Sequence, residues 1–231
     1  MLNIWSGKNY FMKTGLVKQS NFMSLQPASA AGYGRSQAYS RRVEYLLVIY
    51  PYGELQDRLL DEQQQFCHDY LQMTTAMSGR PAGPVLAGNK PHITVAAFQA
   101  GEPMEDTLIR WIQRICNQHK SFDITLNNYS GFPPHTIYLR VQDPQPFREL
   151  MQQLRAIDDF IRSSGCPPVN LINRPYLSIA GGLTEQVYNR AMPEYSRKDF
   201  HDSFHVKEMV LLKREHSFDA CKTVNIFPLT P

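Results

Sequence analysis

Residues 89–96 read NKPHITVA and residues 173–180 read NRPYLSIA, so the chain contains nearly the same eight-residue motif twice. Seven of the eight positions are identical or conservatively replaced, and the exception is His92, which is matched by Tyr176. Internal repetition of this kind indicates related structural units. The repeat therefore predicts two related half-sites that face one cleft, of which the second lacks the imidazole.

Each copy of the motif has the pattern of a β-strand that begins at a proline. Aliphatic and β-branched residues follow Pro91 and Pro175, and proline is tolerated at the first residue of a strand. Strand side chains alternate between two faces, so Ile93 and Val95 predict a buried face. The opposite, polar face carries Lys90, His92 and Thr94 in the first copy and Arg174, Tyr176 and Ser178 in the second.

The polar face of the repeat has the groups that bind a phosphate. Lysine or arginine supplies positive charge, and threonine or serine supplies hydroxyl hydrogen bonds. In a single copy, a structural histidine and an ordinary strand threonine would be the simpler interpretation. Packing explains why apolar positions recur, but it does not explain why a cation and a hydroxyl recur with them. The repetition therefore favours a phosphate site.

Composition places the chain among globular proteins. Its 231 residues suffice for one large domain or two small lobes, and no apolar run is long enough to span a bilayer. The four cysteines are scattered and form no CxxC pair, which argues against a disulfide framework or structural zinc. We therefore expect a reducing, cytoplasmic location.

The net charge of +3 is unevenly distributed along the chain. Residues 1–42 hold six basic residues and no acidic one, which leaves 18 basic against 21 acidic residues for 43–231, a net charge of −3. Residues 1–42 are predicted to be a disordered leader or the product of a start assigned too early, with a transit peptide as the alternative. The body is too acidic to be a general nucleic-acid platform, so any anion must be recognised locally.

From residue 43 onwards, strands alternate with amphipathic helices. Each half of the chain offers a helix, a proline-containing loop and then the motif. This order predicts an α+β, bilobal, pseudo-twofold fold, with two mainly antiparallel sheets flanking a central cleft and helices outside. Residues 43–231 would form this single domain, with each half building one lobe and a linker near 142–145. We also expect a helix interrupted at Pro193 and one continuous strand at 205–213.

The paired motif resembles the two-histidine phosphoesterase superfamily, which includes the RNA 2′,5′-ligase and cyclic phosphodiesterase-like proteins. The resemblance covers roughly residues 43–231 in element order, and PHITV and PYLSI carry it. It implies a bilobal fold whose two motifs face each other across a cleft. It also implies cleavage of 2′,3′-cyclic phosphates or related phosphodiesters without metal or another cofactor.

The resemblance implies catalytic roles for four residues of this sequence. His92 matches the first catalytic histidine, Thr94 its hydroxyl partner and Ser178 the second hydroxyl. In the family one histidine removes a proton, the other protonates the departing oxygen, and the hydroxyls hold the non-bridging phosphate oxygens. Tyr176 occupies the position of the second histidine, and there this sequence departs from the family.

Four further residues are candidates for substrate binding. Lys90 and Arg174 supply positive charge, and we expect Arg174 to favour the phenolate of Tyr176 and lower its pKa from about 10. His135, after the turn GFPP, is the best substitute for the missing imidazole, and Tyr138 on the next strand offers a ring for base stacking. A surface histidine and an ordinary strand tyrosine are the simpler interpretations of these last two.

Two functions are consistent with these features. The first is a phosphodiesterase-like or RNA ligase-like enzyme, a hydrolase of a 2′,3′-cyclic phosphate or of a nucleotide- or RNA-derived phosphoester, with a one-histidine site of impaired or altered activity. The second is a catalytically degenerate protein of the same fold that binds a nucleotide or an RNA end. Both predict a nucleotide or RNA terminus as the partner, in a monomer that requires no membrane, DNA, metal or cofactor.

Overall fold

The computed structural model describes residues 42–71, 90–216 and 219–231. The predicted leader, apart from Arg42, and the glycine- and proline-rich segment before the first motif lie outside the described residues. No helix among the described residues has the length and apolar character that crossing a membrane requires. All four cysteines are free thiols.

Four helices and nine strands make up the described part of the chain. The helices are α1 (Glu54–Phe66), α2 (Glu105–Cys116), α3 (Gln145–Ser163) and α4 (Glu185–Tyr195). The strands are β1 (Arg42–Ile49), β2 (Ile93–Gly101), β3 (Phe122–Phe132), β4 (Thr136–Val141), β5 (Asn170–Leu171), β6 (Tyr176–Ala180), β7 (His201–Val206), β8 (Glu208–Arg214) and β9 (Lys222–Pro228). A π-helical turn, Cys67–Leu71, extends α1, and a 3-10 turn, Glu102–Met104, precedes α2. The predicted α+β class is confirmed.

The strands pair antiparallel in the order β7-β3-β4-β6-β2-β1-β8-β9, and β5 pairs with β2 off this path. Extended ladders join β7, β3, β4 and β6 into one group and β2, β1, β8 and β9 into another. The two groups meet where β2 and β6 pair through a single residue pair, Ile93 with Leu177. We call this junction the seam.

Each strand group draws on both halves of the sequence. The group that contains β2 takes β8 and β9 from the end of the chain, and the group that contains β6 takes β3 and β4 from before the predicted linker at 142–145. This differs from the prediction that each half of the chain builds one lobe. The sequence of β1 gives a physical reason, since its nearly continuous apolar run suits an inner strand with partners on both sides. The residues proposed as the linker connect β4 to α3.

The buried face of β2 and β6 forms the core together with the helices. Ile93, Val95 and Leu177 are all 0% exposed, as the alternation predicts. They share a hydrophobic cluster with the apolar faces of α2 and α3, which include Ile112 and Leu154. Burial of one such aliphatic side chain stabilises the fold by about 1.5–3 kcal/mol. The opposite face of the two strands is left for polar side chains.

Two elements differ from the sequence prediction. Helix α4 continues through Pro193 instead of breaking there, because this proline lies in the last turn and therefore disrupts little of the hydrogen-bond ladder. The single strand predicted at 205–213 is divided at Lys207 into β7 and β8. β7 pairs with β3 while β8 pairs with β1, so the division lets one segment serve both strand groups.

We expect Leu177→Ala to lower the free energy of unfolding by about 2–5 kcal/mol, because it leaves a cavity between the buried partners Ile93 and Leu139. Urea denaturation measures this change. Ile226→Ala is the matched control, since Ile226 is 48% exposed and its truncation should cost less than about 1 kcal/mol. Equal losses in the two variants would contradict the assignment of the seam to the core.

Candidate functional site

The polar face of the seam is set by the antiparallel pairing of β2 and β6. One step along each strand from the seam pair, His92 lies opposite Ser178. One step in the other direction, Thr94 lies opposite Tyr176. Because the paired residues between them point into the core, these four side chains share the other face. The two motifs, distant in sequence, thus meet side by side.

A cavity of about 250 Å³ opens on this polar face, and we call it the phosphate-site cavity. Its described lining consists of Gln63, Lys90, His92, Thr94, Thr136, Ile172, Tyr176, Ser178 and Gly181. Five of the eight residues singled out from the sequence are among them: Lys90, His92, Thr94, Tyr176 and Ser178. The fold therefore brings both copies of the motif to one cavity.

His92 is held in a defined tautomer. Its Nδ1 donates a hydrogen bond of 2.8 Å to the carbonyl oxygen of Lys90, and because a carbonyl oxygen only accepts, the neutral ring carries its lone pair on Nε2. Burial lowers the pKa of His92 below its usual value, and the positive charge of Arg214 lowers it further, against the opposing effect of the Lys90 hydrogen bond. His92 is thus neutral at physiological pH, and Nε2 can accept a proton.

Gln63 anchors helix α1 to the strand that carries the second motif. Its Nε2 donates a hydrogen bond of 3.1 Å to the carbonyl oxygen of Ser178, and its side chain is only 9% exposed. Leaving such a buried polar group without a partner costs about 1–3 kcal/mol. Sequence reasoning missed Gln63, although a signal exists. It follows Leu55 and Leu59 at helical spacing and so interrupts an apolar stripe.

Three other lining residues were also missed: Thr136, Ile172 and Gly181. Thr136 lies at the start of β4, whereas Ile172 and Gly181 directly flank the second motif, just after β5 and just after β6. Strand pairing brings Thr136 to the cavity, but adjacency to the motif is a sequence signal that could have identified the other two. Nowhere in the described ranges do three or more histidine, cysteine or acidic side chains cluster as metal ligands would.

Tyr176 belongs to an aromatic cluster with Phe132 and Tyr138. Its ring centroid lies 5.1 Å from that of Phe132 and 5.0 Å from that of Tyr138, and those two rings stack at 4.4 Å. Burial raises the pKa of Tyr176 above its usual value, and Tyr138 adds to the rise. The expectation that Arg174 lowers this pKa is therefore wrong, because desolvation of the phenolate dominates and the exposed Arg174 is not among the groups that shift it. Tyr176 remains a neutral hydrogen-bond donor.

The other three candidates from the sequence do not belong to the described lining of the cavity. Arg174 is exposed at the start of the second motif. His135 is exposed as well, and its Nδ1 donates a hydrogen bond of 3.0 Å to the carbonyl of Leu183, which ties two loops together. Tyr138 pairs with Ser178 across β4 and β6 and contacts the ring of Tyr176.

The sequence profile of the 2′-5′ RNA ligase superfamily matches residues 61–217, a range that includes both motifs and more than half of the chain. The chain belongs to the 2′-5′ RNA ligase superfamily. The resemblance inferred from the repeated motif is thereby confirmed at the level of the family. Among curated proteins, no sequence matches this one significantly.

Several solved structures have a similar fold and align with most of the chain. E. coli LigT in complex with 3′-AMP aligns with a TM-score of 0.54, covering 82% of this chain and 99% of LigT at 18% sequence identity. The NADP+ complex of E. coli LigT gives a TM-score of 0.53 with the same coverage and identity. The protein TT0787 of Thermus thermophilus gives 0.55, covering 80% of this chain and 97% of TT0787 at 14% identity. At these identities the similarity establishes the fold.

We expect the imidazole of His92 to titrate below about pH 6.5 in the folded protein, with the proton of the neutral ring on Nδ1. As the pH falls through about 6.5, the unfolded chain takes up a proton at this residue before the folded protein does, so the folded form loses stability there. Nitrogen NMR of the imidazoles measures the titration, and His92→Gln identifies the resonance. A pKa above the usual value would contradict the dominance of burial.

Proposed function

We propose that the protein is a phosphodiesterase-like enzyme that hydrolyses a 2′,3′-cyclic phosphate or another nucleotide- or RNA-derived phosphoester, with one histidine as its base. One observation carries the proposal: a neutral His92, fixed at Nδ1, lines the same cavity as Thr94 and Ser178. Membership of the 2′-5′ RNA ligase superfamily supports the reaction class. The LigT complexes with 3′-AMP and NADP+ support a nucleotide as the ligand.

The proposed reaction begins with proton removal by His92. Its Nε2 accepts a proton from a water molecule, and the oxygen of that water attacks the phosphorus. The bond from phosphorus to one ribose oxygen breaks, and this oxygen takes up a proton from solvent water, while His92 returns its proton to the solvent, so that a cyclic phosphate opens to a monoester. The hydroxyls of Thr94 and Ser178 donate to the non-bridging oxygens as their negative charge grows, and the ammonium of Lys90 balances that charge.

In this mechanism Tyr176 stabilises the departing oxygen without being an efficient acid. An ordinary phenol, with a pKa of about 10, is a weaker acid than an imidazolium at about 6.5, and burial weakens Tyr176 further. A well-matched general acid contributes about 100- to 10,000-fold to a rate. We therefore expect turnover to be slower than that of a two-histidine site by a factor within this range.

The raised pKa of Tyr176 favours a second candidate function, a catalytically degenerate protein that binds a nucleotide or an RNA end. Lys90, Thr94 and Ser178 would then bind the phosphate. His92 would line the cavity and form a hydrogen bond to the ligand without transferring a proton. The two functions share a ligand class and differ in whether the ligand is turned over.

We expect His92→Ala to lower the hydrolysis of 2′,3′-cyclic nucleotides by about 100-fold or more, since it removes the proposed base. Tyr176→His should raise it, although by less than a full general acid supplies, because the neighbouring rings disfavour an imidazolium. Single-turnover assays with chromatographic separation of the monoester products measure both changes.

The control for this assay is His68→Ala. His68 is exposed, is paired with Asp69 and lies in the π-helical turn outside the cavity lining, so its loss should leave turnover unchanged. If the wild-type protein and Tyr176→His were both inactive on every cyclic nucleotide, the enzymatic function would be excluded and the binding function retained.

Binding of a nucleoside 3′-phosphate should weaken by about 10-fold or more in Lys90→Ala, because a charge-assisted hydrogen bond is worth about 1.5–3 kcal/mol. Arg174→Ala is the matched control, since Arg174 carries the same charge in the same motif position but is outside the described lining. Isothermal titration calorimetry compares the two variants. Equal weakening in both would contradict the placement of the phosphate in this cavity.

A further inference from the structure

A second, larger cavity adjoins the phosphate-site cavity. It measures about 680 Å³, and its lining includes Tyr50, Tyr52, Lys90, Lys207, Glu208 and Ile226, by which we define the lateral groove. Lys90 lines both cavities. Tyr50 also connects them, because its ring meets that of His92 edge-on at 5.9 Å. The lateral groove therefore lies directly beside the proposed reaction site, with Lys90 between the two.

The size of the two cavities indicates how a ligand would be divided between them. Sites for small organic ligands measure about 300–1,000 Å³. The phosphate-site cavity, at about 250 Å³, falls below this range, whereas the lateral groove, at about 680 Å³, falls within it. A phosphoester of more than one nucleotide whose phosphate lies in the smaller cavity would extend beyond it, and the lateral groove is the neighbouring space at Lys90.

The lateral groove presents an aromatic ring and apolar surface to solvent. Tyr52 is 50% exposed and Ile226 is 48% exposed, and both belong to the small set of large apolar side chains that the described ranges leave so accessible. The bases of single-stranded nucleic acids stack on exposed aromatic rings without strong sequence preference. Tyr52 therefore has the chemistry of a stacking platform.

The charges in the lateral groove suit a ligand with more than one phosphate. Lys90 lies at the junction with the smaller cavity, and Nζ of Lys207 lies 5.7 Å from the centroid of the Tyr52 ring. Glu208 contributes one negative charge, and His205 is engaged with Asp123 at 2.7 Å, so the balance among these groups remains positive. Lys207 lies over one face of the Tyr52 ring, which leaves the other face for a base, and a cation next to a stacking ring matches the alternation of phosphate and base along a strand.

We propose that the lateral groove binds the nucleotide next to the reacting phosphate, so that the preferred ligand is the end of an RNA strand and not a free mononucleotide. Tyr52 stacks on the base of that nucleotide, and Lys207 binds the phosphate that follows it. The inference rests on the proposed function, because it takes the phosphate-site cavity as the place of the terminal phosphate.

The test compares two probes, a nucleoside 3′-phosphate and a short single-stranded oligoribonucleotide that ends in a 3′-phosphate. The wild-type protein should bind the oligoribonucleotide more tightly. Tyr52→Ala should lower the affinity for the oligoribonucleotide by about 5- to 100-fold, which is the contribution of one base stacked on an aromatic ring. The affinity for the mononucleotide should stay unchanged. Lys207→Ala should reduce the slope of log affinity against log salt concentration by about 0.7, as expected for one lost phosphate contact on a single strand.

Two matched controls separate these effects from general ones. Tyr52→Phe keeps the ring and should keep the advantage of the longer probe. Lys120→Ala removes an exposed lysine that lies outside the groove lining and should leave the salt slope unchanged. Unchanged mononucleotide affinity in every variant shows that the fold is intact.

Equal affinity of the wild-type protein for both probes would overturn the inference. An unchanged affinity of Tyr52→Ala for the oligoribonucleotide would overturn it as well. Either result leaves the proposed function standing, because the mononucleotide reports on the phosphate-site cavity alone. If the wild-type protein bound neither probe, the proposed function and the inference would fail together.

Discussion

The site depends on one residue pair, Ile93 with Leu177, at which the two strand groups meet. Strand side chains alternate with a period of two, so a register slip of one residue would turn the polar side chains into the core and the aliphatic ones into the cavity. Complete burial of both partners makes that slip unfavourable, and the hydrogen bond from Gln63 to the backbone of Ser178 holds β6 from the helical side. Core packing therefore fixes the arrangement of the polar face, and the chemistry of the site follows from a constraint that is itself apolar.

Burial shifts the pKa values of the two rings in the cavity, His92 and Tyr176, in opposite directions, and both shifts keep the ring neutral. It lowers the pKa of His92 and raises that of Tyr176, so each ring keeps its neutral form. An anionic ligand can thus enter without first breaking an ion pair between these rings. A bound phosphate would then raise the pKa of His92, because an opposite charge nearby favours the imidazolium. If the proposed function holds, proton uptake by His92 and ligand binding are coupled, and the ring proposed as the base would hold a proton more readily beside a bound phosphate.

The order of strands and amphipathic helices was sufficient to predict the α+β class. The repeated motif was sufficient to predict the buried face of β2 and the family, because its apolar positions indicate burial and its polar positions indicate chemistry. The pairing of β1 with β8 could not be predicted from the sequence, because nothing local in either segment specifies a partner at the other end of the chain. The pKa of Tyr176 was predicted in the wrong direction for a related reason. The sequence shows that Arg174 is two residues from Tyr176. It does not show that Phe132 and Tyr138, which lie on other strands, contact the Tyr176 ring. Desolvation in the folded protein therefore determines the direction of the pKa shift, and the exposed Arg174 does not contribute to it.

The aromatic cluster also shows that the asymmetry of the site extends beyond position 176. A histidine there would sit against the rings of Phe132 and Tyr138, where its charged form would be poorly solvated, and its pKa would fall as that of His92 does. An imidazole with a lowered pKa is protonated in only a small fraction of molecules at neutral pH, so it would be a less effective acid than an ordinary imidazole, although still a stronger acid than the buried phenol. The wall formed by β4 and β6 thus favours a neutral ring of either kind, whereas the segment that leads into β2 carries the neutral imidazole of His92 beside Lys90. In the proposed mechanism, the proton-accepting function and the phosphate charge balance are therefore concentrated on this segment, and β6 contributes hydrogen-bond donors that do not need to ionise.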